Sequence, residues 1–303
     1  MSKIRISYHC MDHITNTSFD ADQFKIAQRQ NWDSVAEGWK QWWEPKQRKG
    51  AQNLSNRLIV LAKFKSGQRV LDIATGIGEP ALSVAKIVRS SGYVLATDIS
   101  AQMLEIAKER AASLGLQDVI EFKESDAENL DLPNSYFDAV LCRWGLMFLP
   151  NIDVAINKIY ASLAHPRRFA SAVLADTPKF PTISFATKVI GELIEMVAPP
   201  PGTPNPFSLA DTKKLENSML ETGFTDVHSE RVTITFEFTS GEDYTRYSQA
   251  TSPSARIASS KETEERKEDI WKRVAEQAAR NYGTDNGYIR MNTESICVVG
   301  TKS

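Results

Sequence analysis

Apolar and polar positions along this chain follow two rhythms. Over residues 22–44, Phe24, Ala27, Trp32, Val35, Ala36, Trp39, Trp42 and Trp43 recur at helical spacing, and residues 54–64 repeat the pattern. Residues 1–22 show little periodicity and read as an arm. Compact apolar runs at 70–74, 93–97, 119–123, 139–142 and 169–174 read as buried strands. The stretches between them are amphipathic. One helix begins at Pro80, and another, capped by Ser100, carries Met103, Leu104, Ala107, Ala111 and Leu114 to a stop at Gly115. A third starts at Asp153 and is closed by His165-Pro166.

Beyond residue 176 this alternation breaks. A helix holding Phe185, Val189, Ile190, Leu193 and Ile194 precedes a proline-rich loop at 198–206. A helix over 209–222, a strand over 227–238, a mostly helical stretch over 240–292 and a final strand over 294–301 complete the chain. Seven strands with helices after the first, second, fourth and fifth predict a doubly wound α/β sheet. The expected divisions are an arm and leading helix at 1–50, a core at 51–176, an insertion at 177–208, core again at 209–239, a helical insertion at 240–292 and a last core strand at 293–303.

The chemistry concentrates where the first strand meets its helix, in Asp72-Ile-Ala-Thr-Gly-Ile-Gly-Glu-Pro80. Gly76 and Gly78 permit a sharp turn and close approach of a ligand to the backbone, and Pro80 suits the first turn of a helix. A strand, a glycine turn and a helix N-terminus form a nucleotide-sized corner. Asp98 ends the second strand twenty residues after Gly78, where an acid can take both ribose hydroxyls. Gly76 to Ala81 also spells G-x-G-x-x-A, a dinucleotide fingerprint. Asp72, however, is an ionisable residue inside a strand, costly there without partners, and nicotinamide sites do not need it.

Composition narrows the functions. Net charge is −2, so there is no basic footprint for nucleic acid or an anionic membrane. Cys10, Cys142 and Cys297 lie far apart and imply neither a disulfide framework nor a zinc site. The four histidines lack ligand spacing, and no metal is expected. The N-terminus lacks the apolar core of a signal peptide, and no apolar run approaches the ~18 residues of a membrane helix. A cytoplasmic protein is expected.

Asp72-x-Ala74-x-Gly76-x-Gly78 resembles the first motif of class I S-adenosylmethionine-dependent methyltransferases, with Ala74 where that family often has a glycine. Trp32-Asp-Ser-Val-Ala-Glu-Gly-Trp39 resembles the leading helix of small-molecule members, and Leu132-Pro-Asn-Ser-Tyr-Phe-Asp138 is a familiar feature of them. The run from Phe137 to Leu146 is similar to ubiquinone/menaquinone-biosynthesis C-methyltransferases. Trp144-Gly-Leu-Met-Phe148 lacks the Arg-Asn that those relatives carry there.

The resemblance implies a mostly parallel, seven-stranded Rossmann-like sheet, its last strand antiparallel between the fifth and sixth, with a helical cap. It implies S-adenosylmethionine as cofactor, bound by Asp72, Ala74, Thr75, Gly76, Gly78, Asp98, Ile99, Met103, Asp126, Ala127 and Arg143. Asp98 would hold the ribose, Asp126 the adenine amino group, and Arg143 either the methionine carboxylate or the substrate. Trp39, Trp43 and Trp144 are candidates for a lid or substrate wall, although large aromatics on a helix equally serve a core. The implied reaction moves a methyl group, by in-line displacement, to a small apolar or aromatic metabolite. No catalytic residue emerges, since His165 and His228 begin strands at the opposite end of the sheet. Three other readings compete: a nicotinamide oxidoreductase, a nucleic-acid or protein N-methyltransferase, and a non-catalytic binding protein of the same fold. No tyrosine has a lysine four residues on, and no Asn/Asp-Pro-Pro-aromatic run follows the fourth strand. Oligomeric state is not legible.

Overall fold

A computed structural model describes residues 19–43, 48–89, 91–196 and 198–303. Most of the expected arm lies outside them. The first helix, α1 (Ala21–Trp42), is capped by Asp20, whose carboxylate accepts the Asp22 and Gln23 N–H groups at 3.0 Å. After α2 (Arg48–Ala62) the chain enters β1 (Arg69–Ile73) and then alternates as expected. It runs through α3 (Ala81–Val88), β2 (Tyr93–Asp98), α4 (Ala101–Ser113), β3 (Ile120–Glu124), β4 (Phe137–Arg143), α5 (Ile152–Ser162) and β5 (Leu163–Leu174). The remaining elements are α6 (Pro181–Leu193), α7 (Lys213–Thr222), β6 (Phe224–Phe238), α8 (Gly241–Thr251), α9 (Pro253–Ser259), α10 (Glu264–Tyr282) and β7 (Ile289–Lys302).

The seven strands form one sheet in the order β3-β2-β1-β4-β5-β7-β6, parallel except for β7, which runs antiparallel to both its neighbours. The expected position of the last strand is therefore observed. Both faces are covered, which is why β1 and β4 read as continuous apolar runs. Alternate residues serve opposite layers: Ala139 and Leu141 of β4 pack with α2 and α3, while Val140 and Cys142 pack with α5 and α7.

Boundaries differ in three places. His165-Pro166 does not close α5; it lies inside β5. The β4–β5 register shifts between Phe137 and Ala139, so the proline occupies an irregular stretch where a missing N–H breaks no ladder. Strands β6 and β7 pair far beyond their apolar centres, because a hairpin-like pair can extend with one face polar. Helix α7 begins at Lys213 and not at residue 209.

A third, smaller apolar cluster fixes α1. Val35, Ala36 and Trp43 pack with Ala51, with Ile77 from the glycine turn, and with Met103 and Ile106 of α4. This lays α1 across the carboxyl ends of the strands. Among the described residues no helix is long and apolar enough to cross a membrane.

Candidate functional site

The strand order sets out the site. Proceeding β3, β2, β1, β4, the residues leaving the carboxyl ends are Asp126, Asp98, Thr75 with Gly76, and Arg143. All five line one cavity of about 1150 Å³, open mouth included, roofed by α1. Ala74, Ile99, Met103, Ala127, Trp39 and Trp144 are in the same wall.

The glycine turn is shaped by its neighbours. Asp72 is fully buried, and its Oδ2 accepts the Thr75 hydroxyl at 2.6 Å and the Ala81 N–H, at the start of α3, at 3.0 Å. It therefore ties both ends of the turn together. Burial pushes its carboxyl up to about 7, against the pull of Thr75, Arg143 and the Ala81 amide. Ala74 adopts φ 55°, a left-handed conformation unusual outside glycine. Its methyl is accommodated because Gly145 faces it; a Cβ on Gly145 would fall 2.4 Å from the Ala74 Cβ. The chain thus carries its glycine in the facing loop. At Gly76 (φ 57°) an added Cβ would meet nothing within 4 Å, so this backbone faces open space.

Asp98 is nearly buried, and its two oxygens accept the Gly76 N–H at 2.8 Å and the Ser100 N–H at 2.9 Å. Burial raises its carboxyl to about 6, while those amides pull the other way. Arg143 is buried beside the rings of Trp43 and Trp144, its guanidinium carbon 5.6 and 5.1 Å from their centroids. It donates to the Ala51 carbonyl at 3.2 Å and the Ser55 hydroxyl at 2.9 Å, and burial lowers it to about 10. Its Nε has no hydrogen-bond partner among the described residues. Arg143 nevertheless lines the cavity, and a buried guanidinium there suits an anionic ligand group such as a carboxylate.

Three expected site residues lie elsewhere. Asp72 is behind the turn and not in the cavity wall. Gly78 packs inward, where a Cβ would stand 3.1 Å from Leu82 and 3.2 Å from Ala107, so its role is close approach of α3 and α4. Trp43 is 3% exposed and stacks under Arg110, with 4.9 Å from guanidinium to ring, so it belongs to the core.

Sequence reasoning missed other wall residues. Lys25 bridges Asp126 at 2.8 Å and Glu128 at 2.6 Å; outside the wall, Arg29 donates to the Ile99 carbonyl at 3.1 Å. Trp32 and Phe148 meet edge to face at 5.3 Å. Glu79 is buried in the wall, accepting from Ser83 at 2.8 Å. The one advance signal was the crowding of tryptophans in α1; nothing local paired Lys25 with residues a hundred positions away. His165 and His228 are exposed at the starts of β5 and β6, away from the cavity. Among the described residues no three His, Cys, Asp or Glu are grouped to hold a metal.

Comparison with known proteins agrees with this geometry. Residues 70–165 match a family model described as a methyltransferase domain. The ubiquinone/menaquinone biosynthesis C-methyltransferase UbiE of Pseudomonas putida is 38% identical over 101 residues, 33% of this chain. The chain spans 40% of that protein's length, and the likeness falls on one part of each. Among solved structures, the YcgJ protein from Bacillus subtilis superposes with a TM-score of 0.54 at 16% identity, over 83% of this chain and 98% of that one. Phosphoethanolamine N-methyltransferase 2 of Haemonchus contortus, solved with phosphomonomethylethanolamine and S-adenosylhomocysteine, gives 0.55 at 17% identity, over 92% and 59%. The fold is thus the Rossmann-like sheet of class I methyltransferases.

Proposed function

We infer that this protein is a methyltransferase that uses S-adenosylmethionine and acts on a small apolar or aromatic metabolite. The observation that carries the reading is the row of polar groups along one sheet edge: Asp126, Asp98, the open Gly76 turn, and Arg143 with an unpartnered Nε. An adenosine bearing a methionine tail has complementary groups in that order. Asp126 would take the adenine amino group, Asp98 the ribose hydroxyls, and Arg143 the terminal carboxylate. The cofactor supplies, when bound, an electrophilic methyl group on a sulfonium.

The chain's own residues position and desolvate. Transfer from a sulfonium to a neutral or anionic acceptor disperses charge, so a pocket that excludes water favours it, and alignment alone can contribute several kcal/mol, up to about 7–11 in the best cases. Trp32, Trp39 and Trp144 line the cavity with Arg143 and offer it apolar ring surface. No dedicated base is required by such a step, and none is assigned.

Titration calorimetry with S-adenosylhomocysteine tests the cofactor assignment. Saturable one-to-one binding is expected, and its absence with folded protein would end this reading. Turnover of labelled S-adenosylmethionine against phenols, quinols and amines would then rank acceptors.

A further inference from the structure

The roof helix α1 is fastened along one stripe. Lys25, Arg29 and Asp33 follow each other at four-residue spacing and therefore share a face. Lys25 reaches Asp126 beyond β3, Arg29 reaches the Ile99 carbonyl beyond β2, and Asp33 reaches the first turn of α4. The third contact is of a different kind. Asp33 Oδ1 accepts the Ser100 hydroxyl at 2.6 Å and the Gln102 N–H at 3.2 Å. Ser100 is itself the N-cap of α4, its Oγ accepting the Met103 N–H at 3.1 Å. A hydroxyl has one proton, and giving it to Asp33 leaves a lone pair for the Met103 amide. Two amides that the helix cannot pair internally are thus satisfied, one by the cap residue and one by a carboxylate from another helix.

Asp98 meets the same serine from the other side. Its Oδ1 accepts the Ser100 N–H at 2.9 Å and its Oδ2 the Gly76 N–H at 2.8 Å. Ser100 therefore carries both contacts: its hydroxyl holds the roof, and its amide holds a carboxylate of the cofactor cavity. Burial raises Asp98 to about 6, the Ser100, Gly76 and Ile99 amides pull it down, and the charge of Asp33 pushes it up. The other ionisable groups nearby are accounted for. Arg29 pairs with Glu124 at 3.5 Å, Lys25 lies between Asp126 and Glu128, and burial pushes the Cys142 thiol up to about 12, so it stays neutral.

We propose that Asp33 is a positioning residue for cofactor binding: by capping α4 from the roof through Ser100, it ties the seating of α1 to the Asp98 carboxylate that takes the ribose. The proposal rests on the reading of Asp98 as the ribose acid. Asp33 does not line the cavity, so any effect on the cofactor passes through Ser100 and Asp98. Two carboxylates share one helix N-terminus, which favours negative charge, while each resists the charge of the other. Removing the charge of Asp33 and removing its hydrogen bonds should therefore have separable consequences.

The test is calorimetry with S-adenosylhomocysteine at pH 8 and pH 5. With Asp98 raised to about 6, wild type should bind about tenfold more weakly at pH 5 than at pH 8. Asp33→Asn keeps an oxygen for Ser100 and Gln102 but no charge. At pH 8 it should bind within about twofold of wild type, and its fall at pH 5 should be at least about twofold smaller. Asp33→Ala removes the hydrogen bonds as well and should bind about two- to fivefold more weakly at pH 8, within the range of a lost N-cap. In an Asp98→Asn background, Asp33→Asn should leave the pH profile unchanged. Equal falls in wild type and Asp33→Asn, an Asp33→Asn effect that survives in the Asp98→Asn background, or unaltered pH 8 binding by Asp33→Ala would each overturn the proposal and leave the cofactor reading intact. Failure of the folded wild type to bind at either pH would overturn the cofactor reading, and the proposal with it.

Discussion

The two halves of the carboxyl edge are built from different materials. Under β1, β2 and β3 the cavity is made by backbone: two carboxylates hold amides at 2.8–3.0 Å, and small residues clear the space. Apart from the α1 roof, its residues come from the ends of these strands and the turns that follow them, between Ile73 and Ala127. Beyond β4 a second chamber is made by side chains, delivered by α1, α6, β6, α8 and α9 from positions between 28 and 257. Polar groups orient a ligand at the first end; ring surfaces and shape hold it at the second. A local backbone device tolerates few substitutions, whereas an aromatic wall can be repacked, and the half that matches the methyltransferase family model is the first one.

The comparison breaks most readily at Asp72. Asp72→Ala would orphan the Thr75 hydroxyl and the Ala81 N–H, both buried, and remove an opposing charge from Arg143. A loss of about 2–5 kcal/mol of stability is expected from two such donors, with S-adenosylhomocysteine binding lost although Asp72 does not reach the cavity. The penalty also depends on pH. Because the folded state holds this proton up to about 7 and the unfolded chain releases it near 3.8, wild type loses the associated stability as pH rises between those values. Denaturant titrations should therefore show a larger wild-type-minus-variant difference at pH 5 than at pH 8. A penalty under about 0.5 kcal/mol would mean the turn is held by something else.

Asp98 comes next, because its effect falls on affinity and not on folding alone. Asp98→Asn should weaken S-adenosylhomocysteine by about 1–3 kcal/mol, or roughly 5- to 150-fold, since the ribose hydroxyls lose a charged acceptor. With its carboxyl raised to about 6, wild-type affinity should be flat above pH 7 and decline as pH drops through 6. The variant should lack that decline. Calorimetry from pH 5 to 8 decides it, and identical profiles would detach Asp98 from the ribose.

The same division explains what was legible in the sequence. The Ser100 cap and the carboxylate ending β2 follow from local rules about caps and strand ends, whereas the antiparallel last strand was legible only through the family resemblance. Asp72 was legible as unusual but not as buried behind the turn, since only coordinates tell an anchor from a ligand contact. Trp43 and Trp39 are indistinguishable by helical spacing; four residues apart on α1, one stacks under Arg110 and the other reaches the carbonyl of Thr251. Lys25 and Asp126 were unreadable as a pair without the tertiary fold.

A smaller change isolates the aromatic half. Gly38 of α1 touches α8 so closely that an added Cβ would lie 2.0 Å from the Ala250 carbonyl oxygen. Gly38→Ala gains about 1 kcal/mol of helix propensity but incurs an overpacking cost of about 1–3 kcal/mol, so a net loss of about 1 kcal/mol is expected. The displacement should fall on the α1–α8 contact. Hydrogen exchange should quicken over residues 241–259, while S-adenosylhomocysteine binding should change less than about threefold. If S-adenosylhomocysteine binding falls tenfold or more, the two halves are not separate.

The smallest expected effect is at Lys25, where the roof meets the cofactor half. Its ammonium sits between Asp126 and Glu128, and although burial pulls its pKa down, those two carboxylates raise it further. A partly exposed ion pair of this kind contributes about 0.2–1 kcal/mol. Lys25→Met keeps most of the stem that covers the cavity and removes only the charge. Hydrogen exchange over residues 21–30 should quicken about two- to fivefold, with the remainder of α1 held by Val35, Ala36 and Trp43. The affinity change has two opposed sources. Freeing an oxygen of Asp126 helps the adenine amino group, while loosening α1 exposes the cavity, so S-adenosylhomocysteine binding should move less than threefold either way. A loss of tenfold or more would show that α1 closes on the cofactor as tightly as the strand ends do, and the division between a backbone-built half and a side-chain-built half would then have to be redrawn with Lys25 on the cofactor side.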